Sequence, residues 1–465
     1  MIQKISLSKL NFIPRIKKNK EAKKANESAT SPVSQNLYPA YSVPTIVTSL
    51  TSQADKTKYE ALLNEFKNYP VSEATNLSVN QELDILLKSG KLLSKTANDK
   101  TSVLDNIYEM LTTPRTEGLD RRILIANTLD DIVKPSIINQ QFGDIPDADK
   151  VGILSKLSAD DETKKDNSLM DVNNSGTCAA ASCEVNMADK YPAEFARWVN
   201  KLSSVDKKVV SNINLTSLSQ NPLETADILN LMQIKKTGFD LSKNQVTVEI
   251  KADDHAYLRA KNQCKNWDNG ERNVADVLVQ GAIMQTGSQN TYDSLTDIRA
   301  GEFNTNPQGL IELEKTFVES LIKNKEITSL VYHQIDDEQN LVGYNCSMAK
   351  IEQHIKDTID SGDDVILGYV LTNETAGRTK SQYYNPATDG KPNKVINGHE
   401  ITVVDYKTDK FGHTKFICVD TDDNSQDFVT YDAEWLLPKI HHAGYPATIV
   451  ENDVAEIMQN EFAAA

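Results

Sequence analysis

Cysteine is scarce in this chain: five residues in 465, at Cys178, Cys183, Cys264, Cys346 and Cys418. An odd number scattered over so long a sequence excludes a disulfide framework. No C-x-x-C pair occurs, so no structural zinc site is expected and a reducing compartment fits. Long apolar runs are missing as well. No stretch approaches the roughly 18 residues of a membrane span, and none near the start has the unbroken apolar core of a secretory signal. The expectation is a cytoplasmic protein, or one exported without a signal peptide, and no stable membrane insertion. Positive charge is in deficit: 50 Lys and Arg stand against 66 Asp and Glu, a net charge of −16. Phosphate contacts need clustered cations, so nucleic acid is not an expected partner. The exception is the first 24 residues, where Lys4, Lys9, Arg15, Lys17, Lys18, Lys20, Lys23 and Lys24 face Glu21 alone. A solvated tail is the simpler reading, and a contact with an anionic membrane or an export machine the sharper one.

What is present reads as a globular chain of two or three domains, 39% hydrophobic and 25% charged. Residues 1–54 form a basic tail followed by a linker rich in Ser, Thr, Pro, Asn and Ala. Residues 55–164 carry only helical spacing. Tyr59, Leu62, Leu63 and Phe66 make one stripe; Leu83, Ile85, Leu86, Leu87 and Leu92 a second; Leu104, Ile107, Tyr108 and Leu111 a third, stopped by Pro114. A fourth runs through Ile123, Ile125, Leu129 and Ile132 to Pro135. Residues 165–465 mix types. Helices are expected from Cys178, from Pro192, over Asn273–Met284 and over Leu310–Leu321. Strands are expected over Val246–Ile250, Ser329–His333, Val365–Leu371, Glu400–Tyr406 and Lys415–Asp420, with a last helix over Ala433–His442. Helices first and antiparallel strands later predict an α+β fold. There is no internal repeat.

The chemistry concentrates at two places. In Ser175-Gly176-Thr177-Cys178-Ala179-Ala180-Ala181-Ser182-Cys183 a helix opens on a cysteine. Its thiol then sits among backbone N–H groups without intrahelical partners, where the helix dipole favours a thiolate. The same N–H groups can hold an oxyanion. Gly176 lets the chain turn sharply, and the alanines allow close packing against a sheet. Taken alone, the segment reads equally well as a buried cysteine. The second place is Asn397-Gly398-His399-Glu400, opening a strand, followed by a polar loop with Gly412 and a second strand ending at Asp420. A hairpin centred near Asp409–Lys410 sets His399 beside Asp420 on one face. Asp420 can then orient the imidazole, and His399 can activate a thiol.

Gly176-Thr177-Cys178 at a helix start, Gly398-His399 on a strand and Asp420 at the end of the next resemble the papain-like cysteine peptidases, in the Cys, His, Asp order of their bacterial branch. The strand Val365-Ile366-Leu367-Gly368-Tyr369, after Asp360-Ser361-Gly362, is similar too. The likeness covers about Asp166 to Val450. It implies a helical half carrying Cys178, a β half carrying His399 and a cleft between them. Cys178 would be the nucleophile, His399 its base and Asp420 the orienting acid, acting on a protein or peptide substrate without cofactor or metal. Where that superfamily has a glutamine, six residues before the cysteine, this chain has Val172. Asn173 or Asn174 then become the candidate oxyanion donors, with Gln140 and Gln141 farther off. Helical propeptides in such enzymes imply that residues 55–164 regulate or cover the cleft.

Transglutaminases and protein deamidases share this triad, and a non-catalytic interaction module with a degenerate triad is a reading from another class. Asp422 and Asp423 are alternatives to Asp420, more simply turn acids. Asp253-Asp254-His255 is weak as a metal motif. His441-His442 suits a helix C-terminus. Cys264, Cys346 and Cys418 read as structural, and Trp198, Trp267 and Trp435 as packing residues, with Trp267 a candidate for lining a cleft.

Overall fold

The computed structural model describes residues 47–172, 175–218, 222–299, 309–373, 393–422, 426–451 and 453–454. Four helices open it: α1 (Gln53–Glu65), α2 (Val79–Ser89), α3 (Val103–Thr112) and α4 (Arg121–Val133). Each begins where a short polar side chain satisfies a first-turn N–H: Ser52, Ser78, Ser102 and Asp120. Ser78 with Gln81 and Ser102 with Asp105 form reciprocal capping boxes. All four helices fall on the apolar stripes read from the sequence. Short helices α5 (Asp147–Leu154) and α6 (Glu162–Lys165) lead to α7 (Cys178–Lys190) and α8 (Pro192–Ser203), which Pro192 opens at its first position.

A three-stranded antiparallel sheet follows, with β1 (Val209–Asn214), α9 (Pro222–Leu231), β2 (Lys235–Asp240) and β3 (Gln245–Ile250) in chain order and β3 central. Then come α10 (Asp254–Asn266), α11 (Val274–Gly287), the two-residue ladder of β4 (Tyr292–Asp293) and β5 (Ile298–Arg299), and α12 (Glu312–Lys323). The remainder is largely β: β6 (Ile327–Val331), β7 (His333–Ile335), β8 (Leu341–Tyr344), helix α13 (Met348–Asp360), β9 (Val365–Thr372), β10 (Val395–Thr408), β11 (Thr414–Val419) and β12 (Val429–Asp432). A single turn, α14 (Ala433–Leu436), and β13 (Ile440–Pro446) complete it. Six of these strands make one antiparallel sheet in the order β12-β11-β10-β9-β13-β6. The fold is α+β.

Two hydrophobic cores meet at that sheet. The larger runs without a break from Leu62 in α1 through α2–α4, α7, α8, α10, α11 and α12 to Ile366 of β9 and Val419 of β11. The smaller lies on the other face, with Val365, Leu367, Ile401, Val403, Phe416 and Cys418 against α13 and α14. Alternate residues of β9 thus feed opposite cores, as the two-residue strand period requires. Fully burying one large apolar side chain stabilises by about 1.5–3 kcal/mol. Helices α1–α4 therefore hold the cysteine-bearing helices through packing as well as polar contacts.

One expectation fails. The helix over Ala433–His442 stops at Leu436, and Ile440–Pro446 is strand β13, paired to both β9 and β6. Pro438 has no N–H to give Glu434 and ends the helix. The strand is buried on both faces, so it shows no alternation that would distinguish it from a buried helix. His441 and His442 consequently lie within a sheet and cap no helix.

Candidate active site

The site is assembled where α7 starts on the surface of the large sheet. Ala179, Ala180 and Ala181 are fully buried, and their small side chains bring the α7 backbone close to β10. Thr402 of β10 donates its hydroxyl to the Ser182 carbonyl at 3.0 Å. That packing carries Cys178, the first residue of α7 and half-exposed, to His399 of β10. The loop before the cysteine is pinned from three sides. Gly176 donates its N–H to Asp297 Oδ2 at 2.5 Å, Thr177 donates its hydroxyl to Gln280 Oε1 at 3.0 Å, and Ser175 donates its hydroxyl to the Gln140 carbonyl at 2.5 Å. Tyr292 holds the other oxygen of Asp297 at 2.8 Å. Burial lifts the Asp297 carboxyl to about 6, against the pull of these hydrogen bonds.

His399 Nε2 lies 2.6 Å from Asp420 Oδ1, both side chains being largely shielded. Tyr431 on β12 donates its hydroxyl to Asp420 Oδ2 at 2.7 Å, so both carboxylate oxygens are engaged. The Cys178 side chain lies near enough to the imidazole to act on its charge. With Nε2 committed to Asp420, Nδ1 is the nitrogen left for the sulfur. Burial, the largest influence on His399, disfavours its charged form. The hydrogen bond to Asp420 is the largest of the opposing influences; together with the Cys178 side chain and the Asp420 charge it outweighs burial and raises the His399 pKa to about 10. Burial pushes the Asp420 carboxyl up, but His399 and Tyr431 hold it below the usual aspartate value on balance. Tyr369, directly paired with His399 across the β9–β10 ladder, sets its ring edge-on at 5.7 Å. Trp435 stacks on Tyr431 at 5.0 Å and lies 6.1 Å from Tyr369. An aromatic wall therefore shields the His399–Asp420 pair, which strengthens its interaction by keeping water away.

The hairpin register differs from expectation. Thr402 pairs with Val419 and Thr408 with Thr414, with a bulge after Val403. The turn is Asp409–His413, with Gly412 at φ +88. Its centre falls about one residue beyond the position read from sequence, which moves the pairing by two residues at His399, so Asp420 stands diagonally from His399 rather than opposite it. A two-residue shift keeps the facing side the same, and diagonal neighbours remain within side-chain reach. The two residues meet despite the shift.

The other candidates are placed as follows. Asp422 donates its N–H to Asp420 Oδ1 at 3.2 Å and accepts from Gln141 Nε2 at 2.8 Å; it supports the orienting acid without touching His399. Asn173, Asn174 and Asp423 lie outside the described residues. Gln140 gives its amide to the Ser175 carbonyl at 3.1 Å. Asp253 and His255 are joined by Asp293, with possible ligand atoms within 4.8 Å of one another. Their contacts are internal: Ser294 holds Asp253, and His255 Nδ1 lies 2.9 Å from Asp293. Cys183 and Cys418 are buried thiols pushed upward by desolvation. Trp267 donates Nε1 to the Glu271 carbonyl at 2.9 Å and borders a small cleft that also touches Asp130 and Asp276. His442 pairs with Glu400, the neighbour of His399, at 2.6 Å, and buried Lys315 reaches the same carboxylate at 3.3 Å. Sequence reading missed Tyr431, Tyr369, Asp297 and Gln280. Only the Asp420–Tyr431 spacing across two short strands carried a signal for the first of these. No helix among the described residues is long and apolar enough to cross a membrane. Compared with known proteins, the chain matches no family model and no curated protein.

Proposed function

We propose that the chain is a thiol hydrolase of papain-like type that cleaves peptide or amide bonds through an acyl-enzyme at Cys178. One observation carries the reading. A cysteine at a helix N-terminus lies beside a histidine, and Nε2 of that histidine is held by a shielded carboxylate at 2.6 Å. Nucleophile, base and orienting group in that order are what covalent catalysis requires.

His399 takes the thiol proton of Cys178, or already holds it as an imidazolium beside the sulfur, and the sulfur adds to the substrate carbonyl carbon. The negative oxygen of the tetrahedral intermediate meets the backbone N–H of Cys178 at the start of α7. His399 returns its proton to the leaving nitrogen, the C–N bond breaks, and a thioester remains on Cys178. Water then adds with its proton going to His399. The C–S bond breaks and the thiol is restored with that proton. Asp420 stabilises the imidazolium at both proton-bearing stages, and Tyr431 keeps the acid in place.

The test is alkylation with iodoacetamide at pH 6 on the full chain, Cys178→Ala and His399→Ala, with peptide mapping of the label. Rapid labelling confined to Cys178 and lost in both variants is the expected result. Slow labelling spread over Cys178, Cys264 and Cys346 and indifferent to His399→Ala would refute the reading and favour a non-catalytic interaction module. Turnover of a glutamine-containing peptide with and without an added primary amine separates hydrolysis or deamidation from transglutamination.

A further inference from the structure

Resting on that reading of the site, we infer that Gln140 is a positioning residue that fixes the separation of Cys178 from the His399–Asp420 pair. It comes from the segment after α4, far in sequence from both halves of the site. Four hydrogen bonds converge on it. Its Nε2 donates to the Ser175 carbonyl at 3.1 Å, and its own carbonyl accepts from the Ser175 hydroxyl at 2.5 Å. Its Oε1 accepts from the Thr421 hydroxyl at 3.0 Å, and its N–H donates to the Thr421 carbonyl at 3.0 Å. Ser175 is three residues before the thiol, and Thr421 is the residue after the orienting acid. Gln140, Ser175 and Thr421 are all buried, so these bonds are protected from competing water.

The segment that carries Gln140 is itself held. Gln280 of α11 donates to the Asn139 carbonyl at 2.8 Å while accepting from Thr177. Phe142 is clamped between the guanidinium groups of Arg259, at 4.0 Å, and Arg272, at 3.7 Å. Gln141 extends the bridge to Asp422. A carboxamide suits Gln140 because one end must donate to a carbonyl and the other must accept from a hydroxyl. A carboxylate would set an oxygen against the Ser175 carbonyl, and an aliphatic side chain would leave both partners buried and unpaired. The inference concerns the amide N–H engaged with Ser175, which ties Gln140 to the cysteine loop rather than to a substrate. The bridge also makes residues 135–142 part of the site, so the helical region supplies more than a cover.

The test compares Gln140→Glu, Thr421→Val and the double variant with the full wild-type chain. Thermal melting checks folding, kcat and KM are read separately on a peptide substrate, and Cys178 alkylation is followed from pH 5 to 9. A misplacement of about 1 Å costs on the order of 100-fold in rate. The expectation is kcat lower by roughly 10- to 100-fold with KM nearly constant, an alkylation profile moved toward that of an ordinary thiol, and non-additive single effects in the double variant. If Gln140→Glu melts below the assay temperature, Thr421→Val alone decides, since it removes only the contact to Oε1. Folded variants with wild-type kcat and an unmoved alkylation profile overturn the inference, as does a change in KM alone. A wild-type chain in which Cys178 labels no faster than Cys264 overturns the reading of the site, and the inference with it.

Discussion

Replacing Asp420 by Asn tests the electrostatics of the site most directly. In the wild type His399 is raised from 6.5 to about 10. That rise corresponds to about 5 kcal/mol favouring the imidazolium. It is shared between the Asp420 and Cys178 contacts, with the Asp420 hydrogen bond the largest favourable contribution. In Asp420→Asn the charge goes and the geometry stays, so the His399 pKa should fall. Cys178→Ala should lower it as well. The assay is a proton NMR titration of the His399 ring from pH 5 to 11 in the three chains. The sign extends to stability. A histidine raised in the folded state contributes stability that is fully present below its unfolded pKa near 6.5 and is lost as pH rises through 10. The wild type should therefore lose more unfolding free energy than Asp420→Asn between pH 6.5 and 10, as measured by urea denaturation. A wild-type His399 titrating near 6.5, or one indifferent to Asp420→Asn, would refute the argument.

Three further outcomes follow from the packing. Gly368→Ala should destabilise by ~3–5 kcal/mol in thermal melts, because an added Cβ would lie 2.3 Å from His442 and 2.6 Å from Glu400 and split their buried pair. Glu194→Ala should cost a similar ~3–5 kcal/mol: Glu194 is buried and joins Arg197, Trp198 and the Asn98 backbone, so its loss strands the Arg197 charge. Burial beside Asp130 pushes the Glu82 carboxyl upward. A raised acid favours the folded state only at low pH and opposes it as pH climbs past its unfolded value. Glu82→Gln should thus raise the unfolding free energy at pH 7 by at most about 3 kcal/mol, seen as a higher melting temperature, and give no gain at pH 4.

Local signals were legible and distant ones were not. The stripes and Ser caps of α1–α4 lie within a few residues of each other, so spacing alone placed these helices. The helix start at Cys178 and the strand at His399 were readable for the same reason, and the parity of the strand period kept His399 and Asp420 together despite the misjudged register. Strand β13 was not readable: its neighbours β9 and β6 are supplied from far upstream, and burial on both faces removes the alternation that marks a strand. The link from Gln140 to Ser175 and Thr421 spans 35 and 281 residues, beyond any pattern in a window. Asn173, chosen because the superfamily's glutamine position is Val172, falls outside the described residues.

The place of β13 in the large sheet has a consequence for synthesis. It lies between β9 and β6 and is the last of the six strands to be made. Until Ile440–Pro446 leaves the ribosome, the nascent chain cannot join β6 to the strands that carry His399 and Asp420, and both flanking edges stay unpaired. Long-range pairing of this kind forms late and slowly. Closure of the six-stranded sheet that carries His399 therefore waits on the segment Ile440–Pro446, the last of its strands in chain order.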